Sequence, residues 1–125
     1  MRRNTIKEYD IPAIREARHI IEVSLKEHIC IPKLAEKCGL NEFKLKQGFR
    51  ELYNTSPYKY LVQLRLQHAK ALLEDTDLTI NQIADRIGFE SYNGFSTAFK
   101  KAYKLSPTYY RNSNHTQISR RKNPV

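Results

Sequence analysis

The sequence predicts an all-α protein made of two copies of one helical unit. Residues 31–57 and 80–107 repeat the same order of features, in which a short amphipathic helix, a glycine turn and a longer helix follow one another. Elsewhere apolar residues recur at spacings of three and four, the pattern of helices with one buried face. Only 4 glycines and 5 prolines interrupt 125 residues, so long stretches are free to be helical.

The two copies share residue identities as well as pattern. Ile31, Ala35 and Gly39 recur as Ile80, Ala84 and Gly88, and after the extra residue Glu90 the series continues with Phe49, Tyr53, Ser56 and Pro57 recurring as Phe99, Tyr103, Ser106 and Pro107. In each copy a small residue stands where two helices must cross closely, and a glycine stands where the chain must turn sharply. Both copies are therefore predicted to be helix-turn-helix units.

These features divide the chain into five segments. They are a flexible lead-in (1–11), a first helix-turn-helix subdomain (12–56), a connecting helix (57–74), a second helix-turn-helix subdomain (75–112) and a disordered basic tail (113–125).

In the first subdomain, Pro12 suits the first turn of a helix. The buried stripe predicted for that helix consists of Ile14, Ala17, Ile21, Leu25 and His28. Pro32 suits the start of the next helix, and Gly39 ends it because glycine adopts the left-handed conformation at little cost. Asn41 is then the predicted N-cap of the longer helix.

Ser56 and Pro57 begin the connecting helix. Its predicted buried side consists of Leu61, Leu64, His68, Ala69, Leu72 and Leu73. Thr79 and Ser91 are the predicted N-caps of the two helices that follow. A last helix starts at residues 106–107, and the polar tail beyond it cannot bury enough apolar surface to become ordered.

The charge of the chain indicates a polyanionic partner. The formal net charge is +9 at pH 7, which favours nucleic acid first and an anionic membrane surface second. No apolar run approaches 18 residues and no secretory signal begins the chain, so we expect a cytoplasmic protein. Cys30 and Cys38 lack the partners of a zinc site, so both are predicted to be reduced thiols, with Cys38 packed in a helix.

An enzyme is not expected. The four histidines are scattered, and the sequence contains no catalytic triad order, zinc-protease motif or glycine-rich phosphate loop. We therefore expect no catalytic residues, no cofactor and no metal ion.

The longer helix of each unit has a polar strip opposite its apolar face. In the first unit Leu45, Phe49, Leu52 and Tyr53 face inward, and in the second Phe95, Ala98, Phe99, Ala102 and Tyr103 do so. The outward strips consist of Phe43, Lys46, Gln47 and Arg50, and of Asn93, Ser96, Thr97, Lys100 and Lys104. An ordinary solvated helix face is the simpler interpretation of one such strip. Its repetition together with the turn favours a surface that reads DNA.

The strips contain the groups that recognise bases. Lys46 can donate to guanine, Gln47 and Asn93 can pair with adenine, and Phe43 offers apolar contact to thymine. Ser96 and Thr97 can bond to either kind of partner. The residues predicted to contact phosphates are Asn41, Lys44, Arg50, Ser91, Lys100, Lys101 and Lys104.

Two glycines interrupt these helices, at a cost of about 1 kcal/mol each relative to alanine. Gly48 is predicted to allow close packing against a neighbouring helix. Gly94 could let the backbone approach DNA.

The stretch from about Ile14 to Asn112 resembles the DNA-binding domain of the AraC/XylS family of bacterial transcription regulators. The more specific part of the match is Ile83-Ala84, Ile87-Gly88-Phe89, Ser91, Phe95, Phe99-Lys100, Tyr103, Ser106-Pro107 and Tyr110-Arg111. The resemblance covers about 100 of the 125 residues and implies seven helices, with two recognition helices in successive major grooves. It places the base-contacting positions at Phe43, Lys46 and Gln47, and at Tyr92, Asn93, Ser96 and Thr97.

The length of the connecting helix agrees with that arrangement. Some 17 residues span about 25 Å at 1.5 Å per residue, and the widths of two recognition helices bring the separation near one DNA turn of about 34 Å. We therefore expect two half-sites about 10 bp apart on one face of the DNA.

We expect a sequence-specific binder of double-stranded DNA that acts as a transcription activator, with RNA polymerase as a further partner implied by the family and no membrane partner. We expect the domain itself to be monomeric, and a longer protein containing it could dimerise through another domain. The chain is expected to be the C-terminal piece of such a regulator, with a small single-domain regulator as the alternative. A helical protein-interaction module, and an RNA or membrane-surface binder acting through charge alone, remain open as other functions.

Overall fold

Helices account for the regular secondary structure in residues 6–113, the part of the chain that the computed structural model describes. A 3-10 turn at Glu8–Asp10 leads into α1 (Ile11–Val23), α2 (Ile31–Lys37), α3 (Glu42–Tyr53), α4 (Pro57–Asp75), α5 (Ile80–Ile87), α6 (Tyr92–Tyr103) and α7 (residues 107–113). No strand occurs in this range, so the all-α prediction is confirmed. The expectations for residues 1–5 and for the tail from residue 114 onward lie outside the described residues.

The chain forms two compact units, Met1–Leu64 and Arg65–Val125. The connecting helix predicted as a separate segment is α4, and its first residues belong to the first unit and its remaining residues to the second. It ends at Asp75, one residue later than predicted.

The core of the first unit is formed by α1, α2, α3 and the start of α4. Its buried residues are Ile14, Ala17, Ile21, Leu34, Ala35, Leu40, Leu45, Phe49 and Leu61. The Phe49 ring lies 5.0 Å from the Tyr53 ring and 5.6 Å from the Tyr60 ring, measured between centroids. The Phe49–Tyr53 pair is edge-on and the Phe49–Tyr60 pair is tilted, and such inclined ring pairs favour one orientation of α3 beyond what apolar burial alone would select.

The second unit repeats this aromatic arrangement. The Phe99 ring is 4.7 Å from Tyr103 and 5.7 Å from Tyr110, and Phe95 lies 5.8 Å from Phe99. The buried residues around these rings are Leu66, Ala69, Leu73, Ile83, Ala84, Ile87, Phe95 and Phe99. In each unit the tyrosine of the following helix also donates a hydrogen bond to a glutamate, from Tyr60 to Glu22 and from Tyr110 to Glu74.

The turn between the two helices of each unit has the same hydrogen bonds. Gly39 has φ +71° and Gly88 has φ +98°, a conformation that glycine adopts at little cost. The next residue donates back into the first helix, from Leu40 N to Ala35 O at 2.9 Å and from Phe89 N to Ala84 O at 3.0 Å. The repeat recognised in the sequence is therefore a repeat of backbone geometry.

The predicted N-caps are present. The Asn41 side chain accepts from Lys44 N, and the Ser91 side chain accepts from Gly94 N. Thr79 forms a reciprocal capping box with Gln82, in which each side chain accepts the other residue's backbone N–H.

The amino-terminal part of the first unit differs from the prediction. The described part of the lead-in is not frayed, because residues 8–10 form a 3-10 turn whose Asp10 is buried and α1 starts at Ile11. At the other end α1 stops at Val23, so Leu25 and His28 lie outside the helix whose stripe they were predicted to extend. His28 is exposed, whereas Leu25 packs against the core from the following loop.

Two further side chains predicted to be buried, in addition to His28, are exposed. His68 on α4 is exposed because the second unit buries Leu66, Ala69 and Leu73, a stripe at spacings of three and four that excludes it. Ala102 on α6 is exposed, and Ala98 is only partly buried, because Phe95 and Phe99 fill the inward face.

Arg111 on α7 closes the second unit with three hydrogen bonds. Its guanidinium donates to the backbone carbonyls of Leu73 at 3.3 Å, Thr76 at 3.1 Å and Leu78. These oxygens belong to the last turn of α4 and to the loop that precedes α5. A helix leaves its final carbonyls without backbone partners, so this one side chain satisfies groups on both elements.

Gly48 lies where α3 crosses α1, as predicted. A Cβ atom at this position would stand 2.4 Å from Ile14 Cδ1 and 2.8 Å from Ile14 Cγ1, and Ile14 is fully buried. At Gly94 the nearest atom would be Ser91 Oγ at 3.3 Å, on an exposed surface.

We expect Gly48→Ala to lower the free energy of unfolding by about 1–2 kcal/mol. The methyl group gains about 1 kcal/mol of helix propensity but overpacks a full core, which typically costs about 1–3 kcal/mol, and contacts this short with a fully buried side chain favour the upper end of that cost. Gly94→Ala is the matched control and should leave stability unchanged or raised by up to about 1 kcal/mol. Urea unfolding measures both, and a Gly48→Ala variant as stable as the Gly94→Ala control would contradict the close crossing.

Arg111→Ala should destabilise the second unit by about 2–4 kcal/mol, because hydrogen bonds from a charged donor are each worth about 1.5–3 kcal/mol and do not add fully. Arg111→Lys should recover little, since one ammonium group cannot match a planar fork that spans three carbonyls. Arg86→Ala, at an exposed arginine of α5, is the control. Thermal unfolding that ranks Arg111→Ala with Arg86→Ala would show that the three bonds contribute nothing.

Candidate nucleic-acid interface

The inward face of α3 fixes which of its residues are accessible. Leu45 and Phe49 are fully buried, so the opposite face of the helix is turned to solvent. Phe43 is 61% exposed, and Lys46 and Arg50 are exposed beside it. Three of the four residues of the predicted strip are thus open to a ligand, and a phenylalanine this exposed is apolar surface available for contact.

Gln47, the fourth residue of that strip, is partly buried and has an intramolecular partner. Its Nε2 donates to Glu51 Oε1 at 3.2 Å, one turn further along α3. Because Glu51 Oε1 is the acceptor in this contact, the amide nitrogen is the end of Gln47 that faces Glu51.

Lys44 also has a partner inside the protein. Its Nζ lies 3.3 Å from Asp10 Oδ2 and 5.6 Å from the centroid of the Tyr9 ring. The pKa of Asp10 lies below its ordinary value, mainly because the backbone N–H of Lys7 donates to the carboxylate and further because Lys44 does. The structure therefore places the predicted phosphate ligand Lys44 against a carboxylate that remains ionised.

Asn41 and Ser91, predicted to contact phosphates, serve first as helix caps. The Asn41 oxygen accepts from Lys44 N at 2.7 Å, and the Ser91 oxygen accepts from Gly94 N at 3.0 Å. Acting as acceptors leaves the Asn41 amide nitrogen and the Ser91 hydroxyl hydrogen able to donate. Capping and anion binding are compatible at these two positions.

The strip on α6 is set by Phe95 and Phe99, both fully buried. Of the residues predicted to read bases, Tyr92 is 41% exposed and Asn93 and Thr97 are also exposed. Ser96 is partly buried. The predicted phosphate ligands Lys100, Lys101 and Lys104 are all exposed, two of them in the last turn of the helix.

Lys104 has a structural feature that the sequence did not show. It is the C-cap that follows α6 and has the left-handed conformation, with φ +69°, and Asn54 is the C-cap of α3 with φ +57°. Asparagine tolerates this conformation better than lysine does. The structural repeat therefore includes the C-cap residue that follows each recognition helix.

Sequence reasoning missed Asp10 and Glu51, the two carboxylates that hold predicted ligands. The pair of Gln47 and Glu51 had a signal, because residues four apart on a helix face one another. The contact between Asp10 and Lys44 had none, since it spans two elements that are separate in the chain.

Residues 6–113 contain no cluster of three or more histidine, cysteine, aspartate or glutamate side chains that could hold a metal ion. Cys38 follows α2, and burial raises the pKa of its thiol, with a contribution from Glu16. A thiol held protonated is a poor nucleophile. None of the described helices is long and apolar enough to cross a bilayer.

Comparison with known proteins shows which family of domains the chain resembles. A family model described as a helix-turn-helix domain matches residues 34–113. The HTH-type transcriptional activator RhaR of Enterobacter sp. (strain 638) is 35% identical over 88 residues, which are 70% of this chain and 31% of RhaR. The chain spans about a third of the length of the curated relatives it first matches.

Solved structures agree in fold. A transcriptional regulator with an AraC-type DNA-binding domain from Chromobacterium violaceum is 28% identical, with a TM-score of 0.75 over 86% of this chain and 96% of that one. The DNA-binding domain of AdpA, solved in complex with a target DNA, is 25% identical, with a TM-score of 0.80 over 84% of this chain and 95% of that one. With the family model matching more than half of its length, this chain belongs to the AraC/XylS family of helix-turn-helix proteins.

Proposed function

We propose that the chain binds double-stranded DNA at a specific sequence, as the DNA-binding part of a transcription activator. The observation that carries this proposal is that α3 and α6 each present an exposed strip. Each of these helices follows an equivalent glycine turn and buries an equivalent phenylalanine on its opposite face. The AdpA domain was solved with its target DNA, and RhaR is a transcriptional activator, which supports the same activity here.

In the first unit α3 would lie in the major groove. Lys46 would donate to guanine O6 or N7, and Phe43 would pack against a thymine methyl group. Gln47 would pair with an adenine through its amide oxygen and its remaining N–H. A good bidentate contact discriminates against a wrong base by about 1–3 kcal/mol.

In the second unit α6 would read bases with a different set of groups. Asn93 would pair with adenine, while Thr97 would offer both a hydroxyl and a methyl group. Tyr92 and Ser96 would complete the strip, and Gly94 keeps the first turn of α6 small where the backbone approaches the groove.

Phosphate contacts would supply most of the affinity. Arg50, Lys100, Lys101 and Lys104 are exposed cations, and Asn41 and Ser91 are helix caps that can still donate. A net charge of +9 makes binding to any DNA favourable and dependent on salt. Lys44 would join them only when its ion pair with Asp10 opens.

We propose further that the two recognition helices enter successive major grooves, so that two half-sites lie about 10 bp apart. RNA polymerase is the protein partner proposed for the activator, and the DNA-binding part is proposed to act as a monomer. Binding that ignores sequence would instead favour a protein that recognises polyanions through charge alone.

Selection of binding sites from a random duplex pool at about 150 mM salt should recover two blocks of sequence. Lys46→Ala combined with Gln47→Ala should erase the preferences of one block, and Asn93→Ala combined with Thr97→Ala those of the other. Each loss should be about 1–3 kcal/mol per contact, because base-edge bonds carry the discrimination. Footprinting and competition binding measure the two blocks separately.

His68→Ala, an exposed substitution on α4 outside both strips, is the control and should leave the selected motif unchanged. If the Lys46 and Gln47 double variant retains every base preference of the wild type, α3 does not read DNA. If no sequence is enriched at all, the proposal of sequence-specific binding is wrong.

Lys101→Ala should weaken binding to all DNA sequences alike. Loss of one phosphate contact should reduce the slope of log K against log salt by about 0.9 without changing the ranking of base variants. Arg15→Ala, which removes an exposed cation from α1, is the matched control. Binding titrations with DNA at several salt concentrations measure this slope, and a change in base ranking on Lys101→Ala would contradict a phosphate role.

A further inference from the structure

We propose that Glu51 is a specificity-determining positioning residue, which orients the Gln47 amide so that it accepts adenine and rejects guanine. This inference rests on the proposed DNA binding and goes beyond it, because Glu51 was assigned no role among the predicted DNA contacts. It concerns a residue that acts through its neighbour, without touching a base.

The geometry fixes one orientation of the Gln47 side chain. Gln47 Nε2 donates to Glu51 Oε1 at 3.2 Å, across one turn of α3. In the opposite amide orientation the oxygen of Gln47 would face Glu51 Oε1, which is the acceptor in this contact, and two acceptor oxygens would stand against each other. The amide oxygen of Gln47 is thereby directed away from Glu51, and one of the two amide hydrogens remains free of this bond.

Glu51 is itself held by the protein. Its other carboxylate oxygen, Oε2, is buried and has no hydrogen-bond partner among the described residues. A carboxylate with one oxygen enclosed cannot swing freely into solvent, and Gln47 is partly buried beside it. The amide is therefore oriented before any ligand arrives, which lowers the entropy lost on binding.

The second unit has a lysine at the position that corresponds to Glu51. Phe49 corresponds to Phe99, so on the same offset Gln47 corresponds to Thr97 and Glu51 to Lys101. Lys101 is exposed and suited to a phosphate, whereas a carboxylate at the same place on a recognition helix repels phosphates. A glutamate at this position would weaken DNA binding where a lysine would strengthen it, and the contact that Glu51 makes here is the hydrogen bond with Gln47.

The base preference follows from the orientation. The free N–H of Gln47 can donate to adenine N7 while its oxygen accepts from adenine N6. Guanine presents an acceptor, O6, where adenine presents the N6 donor, so the fixed amide oxygen would face another oxygen. An amide released from Glu51 could turn and donate to guanine. Loss of Glu51 should therefore relax the choice between adenine and guanine more than any other choice.

The experiment first locates the base pair whose preference is lost in Gln47→Ala, and then measures Kd for all four bases at that position. The proteins are the wild type, Glu51→Ala, Glu51→Gln and Glu51→Lys, each checked for an unchanged circular dichroism spectrum and thermal midpoint within a few degrees. A bidentate contact is worth about 5- to 150-fold in discrimination. Glu51→Ala should reduce the ratio of guanine to adenine Kd values at least fivefold.

The remaining variants separate orientation from charge. Glu51→Gln removes the charge but can still accept from Gln47, so it should retain more discrimination than Glu51→Ala. Glu51→Lys copies the second unit; it should tighten binding to all four sequences and steepen the salt slope by about 0.9, while losing the adenine preference. A merely structural role would not produce tighter binding together with a weaker preference.

The double variant Gln47→Ala with Glu51→Ala tests whether Glu51 acts through Gln47. Its base preferences at the chosen position should equal those of Gln47→Ala alone. Unchanged adenine preference in Glu51→Ala, or a further change of preference when Gln47 is already absent, would overturn the inference while leaving DNA binding intact. A wild type without preference at any position would overturn the proposed function itself.

Discussion

The burial of one phenylalanine in each recognition helix is the constraint on which the rest of the structure depends. Phe49 and Phe99 are fully buried, and each is packed against a tyrosine on its own helix and a tyrosine on the next. Because a helix is a rigid cylinder with 3.6 residues per turn, burying one large ring sets the rotation of the whole helix. The exposed strips of α3 and α6 are therefore consequences of packing on their opposite faces.

With the rotation fixed, the chemistry of each strip depends on what stands beside it. On α3 two of the predicted ligands are held by carboxylates, Lys44 by Asp10 and Gln47 by Glu51. On α6 the cations Lys100 and Lys101 are exposed at the end of the helix. Two helices with the same backbone geometry thus differ in their side chains. On α3 two predicted ligands have partners within the protein, and on α6 the lysines are exposed. Such a difference allows two copies of one motif to contribute differently to affinity and to base choice.

Much of the local structure could be predicted because it depends on neighbours in the chain. The caps at Asn41 and Ser91 and the left-handed turn at Gly39 involve contacts within a few residues. Predictions failed for residues that fit the buried face and the exposed face of a helix about equally well. His68 fits a helical stripe that α4 does not bury, and Ala102 suits either face of α6. The pattern of apolar residues shows that a helix has a buried side, but small or amphipathic residues at its margin do not fix where that side ends.

The sequence by itself determined that the helices form, where the turn repeats and which residues of α3 and α6 make up the apolar face, because periodicity and capping act within one or two turns of helix. Tertiary structure alone decided that Lys44 is ion-paired with Asp10, that a side chain at residue 48 would crowd the buried Ile14, and that Arg111 hydrogen-bonds to the end of α4. These contacts connect residues more than 30 positions apart in the chain. Packing of the helices against one another, and no local preference, brings their atoms into contact.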